Sequence, residues 1–226
     1  MNLAWLGLLV APALTLAADL GSARDRQDKA TLQAAVAGLA EAAGKSPNLA
    51  AAQYRLALAE SYLAEVSQEL GDKAGAREAA EAGIRAAERA VAIQVSAAEH
   101  HRILGTLCGQ VIPANVLLAV RYGRCALDSV NKALELDPKS SDAWLSKGVG
   151  DYYLPPAFGG GLELAVQDLR KAIQLNPKSA DAHLWLGIAL RKLGKNPEAR
   201  AAIERSLALN PNRVWAKTQL AKTAAK

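Results

Sequence analysis

From residue 27 onward, apolar residues recur three and four positions apart between short polar breaks, which is the spacing of one buried helix face. "NLAAAQYRLALAESYLAEVSQELG" and "DKAGAREAAEAGIRAAERAVAIQ" predict two helices of more than twenty residues, joined near Gly71 and Asp72. Shorter runs of the same period follow to the C-terminus. The last, "NRVWAKTQLAKTAAK", predicts a helix with Trp215 inward and its lysines outward. The chain therefore reads as all-α.

The apolar pattern also repeats on a longer scale. "KALELDPKSSDAW", "KAIQLNPKSADAH" and "RSLALNPNRVWAK" align on Pro138, Pro177 and Pro211, 39 and 34 residues apart. In the last unit Leu186 and Gly187 fall in a first helix, and Ala199, Ile203 and Ser206 fall in a second. The unit before repeats this with Trp144, Gly148, Ala165, Leu169 and Ala172, and an earlier one with Leu104, Gly105, Ala126, Val130 and Ala133. Gly and Ala at facing positions let two antiparallel helices approach closely, while larger apolar residues fill the space to the next pair. Asn-Pro or Asp-Pro stops the second helix, because the residue before proline is pushed out of the α region. Ser140, Ser141 and Ser179 then offer caps for the next first helix. Carried backwards, the register places closing positions at Pro47 and Val95, so that successive spacings are 48, 43, 39 and 34 residues. The helix ending near Pro47 lacks a clear partner.

These units resemble the tetratricopeptide repeat, a helix–turn–helix of 34 residues. The resemblance is strong over 97–211 and degenerate over 27–95. It implies a right-handed α-α superhelix of about ten or eleven helices in a single array, 18–226, with 212–226 as its polar cap. It also implies a concave groove lined by the first helix of each pair. Groove-facing candidates are Arg102, Thr106 and Gln110, then Leu145, Val149, Tyr152 and Tyr153, then Leu184, Ile188, Arg191 and Lys192, and finally Trp215 and Lys222. That lining is apolar with a basic end and suits an extended or helical protein segment carrying some acidic residues. The Lys and Asn pair by which some such repeats clamp acidic chaperone tails is missing, since Arg102/Thr106, Leu145/Val149 and Leu184/Ile188 stand in its place.

Composition sharpens the picture at both ends of the chain. Aromatics are only 4%, against an Ala-rich apolar total of 51%, which favours closely packed helices over a sheet. A net charge of +5 is spread along the chain without a basic stripe, so nucleic acid is not an expected partner. Residues 3–16 form an uncharged apolar run, about 21 Å as a helix and too short to span a bilayer. Thr15 and Ala17 follow the small-x-small rule, so residues 1–17 are expected to be a cleaved signal peptide. With no Cys after that run, no lipid anchor is expected, and the mature chain is placed in the periplasm or outside the cell. There the only two cysteines, Cys108 and Cys125, could form one disulfide between neighbouring helices.

Chemistry is sparse. His100 and His101 are adjacent and point about 100° apart on a helix, and His183 occupies the repeat position of Trp144, where packing explains it. No nucleophile–base or metal constellation can be assembled, so neither catalysis nor a cofactor is expected. "YYLPPAFGGG", residues 152–161, breaks the register by 5 residues. Its prolines end one helix and its glycines start the next. Phe158 is expected to pin this loop onto neighbouring helices, and with Tyr152 and Tyr153 to offer a binding rim. Export and the long N-terminal hairpin are also similar to repeat proteins of periplasmic substrate-binding transporters, which implies ligand handling as an alternative function. A cytosolic scaffold with an uncleaved first helix is the third reading.

Overall fold

The computed structural model describes residues 20–114 and 116–223; the expected signal peptide lies outside the described residues. Residues 20–25 are helical. Ten further helices follow: α1 (Lys29–Lys45), α2 (Ala50–Glu69), α3 (Lys73–Ile93), α4 (Ala98–Val111), α5 (Ala119–Leu136), α6 (Ser141–Tyr153), α7 (Leu162–Leu175), α8 (Ala180–Lys192), α9 (Asn196–Leu209) and α10 (Val214–Ala221). No strand occurs among the described residues. The pairs α2/α3, α4/α5, α6/α7 and α8/α9 are hairpins, stacked so that α2, α4, α6 and α8 are successive neighbours on one face. The fold is an α-α superhelix of tetratricopeptide-like hairpins.

Why the hairpins close so tightly is visible at Gly105, Gly148 and Gly187. A methyl group at these positions would lie 2.7 Å from Val130 Cγ2, 2.7 Å from Leu169 Cγ and closer still to Ile203 Cγ1. Only glycine allows that approach. Around these contacts Leu107, Leu169, Leu184 and Ile203 are fully buried, each worth roughly 2–3 kcal/mol of apolar transfer.

Successive hairpins are joined by one recurring device at the closing positions read from the sequence. The carbonyl at each closing position lies in the turn one residue past the helix C-cap, and a side chain six residues on pairs with it. Gln53 Nε2 donates to the Pro47 carbonyl at 3.4 Å, and Trp144 Nε1 to that of Pro138 at 3.0 Å. The Nε2 atoms of His101 and His183 lie 2.7 and 3.2 Å from the carbonyl oxygens of Val95 and Pro177. A carbonyl only accepts, so both imidazoles carry their proton on Nε2. Two of the three histidines are thus structural joints.

Several local expectations are refined. Ser140 and Ser179 cap α6 and α8 by accepting from the Ala143 and Ala182 amides, but Ser141 instead donates to the Ala172 carbonyl of α7. The unpartnered helix before Pro47, α1, has residues 20–25 beside it, and Leu20 and Ala23 are buried in the same core as Leu32 and Leu39. Cys108 on α4 is joined to Cys125 on α5, with 6.0 Å between Cα atoms. The 152–161 break is a corner: Pro156–Phe158 form a 3₁₀ turn, and Gly159 (φ 86°) and Gly161 (φ 124°) take backbone conformations that other residues rarely adopt. Phe158 does not pin it. That ring, at the end of the 3₁₀ turn, is 73% exposed.

Glu60, buried in α2 against α3, has a carboxyl pushed up from 4.5 to about 7 by desolvation, with Arg85 pulling down and Glu78 adding to the rise. Its penalty is absent below pH 4.5, where both folded and unfolded states hold the proton. It is complete above pH 7, where both have lost it. Stability therefore falls as pH rises between these values. Glu60→Gln should raise stability at pH 8 by about 2 kcal/mol, the shift of a few pH units discounted for Arg85 and residual water. It should change nothing at pH 4, as chemical denaturation at the two pH values will show.

Candidate functional site

The concave face carries two continuous features, one aromatic and one ionic. A row of rings runs from α6 to α10. Tyr152 meets Tyr153 edge-on at 4.9 Å, both meet Trp185 of α8 at 5.8 and 6.1 Å, and Trp185 meets Trp215 at 5.3 Å. Tilted and edge-to-face pairs at these distances each contribute roughly 0.5–1.5 kcal/mol beyond area burial. Desolvation, then the neighbouring Tyr152, pushes the Tyr153 hydroxyl up to about 12, opposed by a hydrogen bond from Gln68 near the end of α2.

The ionic feature is centred on Arg213, the residue before α10, which is 1% exposed. Its guanidinium donates to Glu65 at 2.7 Å and to both carboxylate oxygens of Glu69, one of them at 3.1 Å. It also donates to the Arg24 carbonyl at 3.4 Å and stacks over the Trp215 ring at 5.6 Å. Arg24 in turn bonds Asp181 in the first turn of α8 at 2.8 Å and lies over Tyr62 at 5.1 Å. Asp25 accepts from Asn210 at 2.7 Å, and Gln27 donates to Glu69 at 2.8 Å. Burial acts to raise the Asp181 carboxyl, but the charges of Arg24 and then Arg213 outweigh it and hold the group below its ordinary value. Residues more than 140 positions apart are thereby tied together, and the chain's own 20–27 segment and α2 end lie across the concave face.

A second ion group sits within the α6/α7 hairpin. Lys147 bonds Asp151 at 2.9 Å and Asp168 at 2.5 Å. Desolvation and the adjacent Asp151 push Asp168 up to about 6. Lys147 and Asp151 occupy repeat positions held by Leu104 and Cys108 in the unit before and Leu186 and Leu190 in the unit after.

The sequence-derived groove residues fall into three groups. Tyr152, Tyr153 and Trp215 come together in the ring row. Lys192 and Lys222 are exposed. The rest are engaged elsewhere: Arg102 bonds Glu99 and Ser146, Arg191 bonds the Gln219 side chain and carbonyl, and Ile188 is buried among Leu184, Ile203 and Ala216. Phe158 projects from its loop. The face is also less basic than expected, because Glu99, Asp142 and Asp181 recur in the first turns of α4, α6 and α8.

Sequence reasoning missed Arg213, Arg24, Glu65, Glu69 and Trp185. One signal was present. In the aligned "DPKS", "NPKS" and "NPNR", Arg213 stands where Ser140 and Ser179 supply helix caps. An arginine where a small capping residue belongs marks a side chain recruited for something else.

Within residues 159–213 the repeat character of the fold is matched by sequence as well. Two family models agree, "TPR repeat" over residues 159–194 and "Tetratricopeptide repeat" over 180–213. No curated protein matches the sequence. Among solved structures, the chain is similar to a thermophilic tetratricopeptide-repeat protein of Thermus thermophilus, with a TM-score of 0.62, 18% identity, and coverage of 86% of this chain and 91% of that one. It is also similar to the HusA haemophore of Porphyromonas gingivalis, with a TM-score of 0.61, 17% identity, and coverage of 83% and 96%.

Proposed function

We propose that this chain is a non-enzymatic scaffold that receives a protein or peptide segment on its concave face, in an extracytoplasmic compartment. The observation that carries the reading is the row Tyr153–Tyr152–Trp185–Trp215, which crosses the last two hairpins and the cap helix α10 and has a half-exposed ring at its α6 end. Aromatic rings on a rigid concave scaffold give large contact area at low entropic cost. The exposed cations Lys192 and Lys222, at the C-terminal ends of α8 and α10, favour a segment with acidic residues. Export is supported by the apolar run over 3–16 with its small-residue processing pattern, and by the Cys108–Cys125 bond, which an oxidising compartment preserves.

Lys192→Glu with Lys222→Glu should weaken capture of the native partner from the exported fraction at least tenfold. Arg200→Glu, exposed on α9 of the outer layer, should leave it unchanged. Equal capture by both variants would remove the concave face from the interaction.

A further inference from the structure

Building on the concave-face reading, we infer that Arg213 and the ring row form a reading site for a helix bearing two carboxylates four residues apart, and that α2 occupies this site in the free protein. Glu65 and Glu69 are one turn apart on α2 and both converge on the Arg213 guanidinium, while Gln68 of the same turn reaches Tyr153 in the ring row. This is the contact pattern of a bound acidic amphipathic helix, made here by the chain's own segment.

The internal occupant fits incompletely. Arg213 Nε is buried and has no hydrogen-bond partner among the described residues, the Asp25 carboxylate being 3.8 Å away. A buried, unpaired donor is costly, and an arriving carboxylate that pairs it is favoured over α2. Glu65 and Glu69 also repel each other, which together with desolvation pushes the Glu69 carboxyl up. The N-terminal clamp is strained as well. Gln27, which bonds Glu69, has φ 56° and is the one non-glycine residue with left-handed backbone among the described residues. A partner helix with the same charge spacing and better geometry therefore displaces the Glu65 and Glu69 side chains and the 20–27 segment from Arg213, leaving the rest of α2 in the core, and gains the ring row.

The probe is a capped peptide of residues 56–70, "LALAESYLAEVSQEL", added to the full-length chain. The chain variant Glu65→Gln with Glu69→Gln should bind it at least tenfold more tightly than the wild type, by fluorescence anisotropy. The same peptide with Glu65 and Glu69 changed to Gln should lose at least tenfold. Amide exchange over 20–27 and 210–217 should accelerate in the variant and slow again with peptide, which reports opening independently of affinity. If the double variant does not fold, Glu69→Gln alone carries the same expectations at smaller amplitude. Opening without peptide binding, binding indifferent to the Glu→Gln change, or exchange identical to the wild type would each overturn the inference. The lysine variants of the preceding section can fail without touching this result, because they lie outside the Arg213 cluster.

Discussion

Arg213→Ala should lower the stability of the protein by about 3–5 kcal/mol, the usual cost of removing one member of a buried ion group and leaving the others uncompensated. Two carboxylates and one backbone carbonyl lose the guanidinium at once, since Glu65, Glu69 and the Arg24 carbonyl all converge on it, and Glu69 keeps only Gln27 as a donor. For a chain of this length the melting temperature should fall by roughly 10 °C, measured by circular dichroism at pH 7. The effect should be strongly non-additive. Arg213→Met combined with Glu65→Gln and Glu69→Gln should recover at least half the loss, because the uncompensated charges leave together. A fall below about 1 kcal/mol for Arg213→Ala would show that the cluster is solvated and that the concave face is open.

Loss of the Cys108–Cys125 bond should cost about 3 kcal/mol. The two cysteines are 17 residues apart in sequence, and closing a loop of that size restricts the unfolded chain by about this amount. The paired Cys108→Ala and Cys125→Ala variant, or the wild type in strong reductant, should show the same drop in a denaturant titration, with α4 and α5 losing exchange protection first. The bond also bears on where the chain works. Material isolated from its native host should begin at residue 18 and contain no free thiol. Intact Met1 with two free thiols would place it in a reducing compartment and withdraw the proposal of export.

Much of the architecture was legible because it is periodic. Gly105, Gly148 and Gly187 mark the helix contacts, Pro138, Pro177 and Pro211 the ends of units, and the donor six residues past each of four closing positions confirms the spacing carried back to Pro47 and Val95. The residues that line or cross the concave face were legible only in part. Tyr152, Tyr153 and Trp215 follow from repeat position, and a local rule finds them. The tie between residues 24–25 and 181–213 does not, since nothing in a repeat pattern encodes how far α2 reaches across the array. That reach depends on the extra turns of the α2/α3 hairpin and on long side chains whose partners lie in other units. Ile188 is buried for a related reason: at the last hairpin it packs with Ala216 of the cap helix α10, whereas the equivalent Thr106 and Val149 of earlier units are only partly buried.

A linear stack of hairpins ordinarily behaves as a chain of near-independent blocks, each sensing only its neighbours, so that end blocks fray and folding can begin anywhere. Here the 20–27 segment and α2 are fastened to α8 and to the turn before α10 through Arg24–Asp181, Asp25–Asn210, Arg213 to the Arg24 carbonyl, and Arg213–Glu65, which makes the stack a loop. A loop has no free end from which to unravel. Its unfolding is one cooperative event, its terminal blocks are as protected as its middle, and its folding waits on contacts of very large sequence separation and is slowed accordingly.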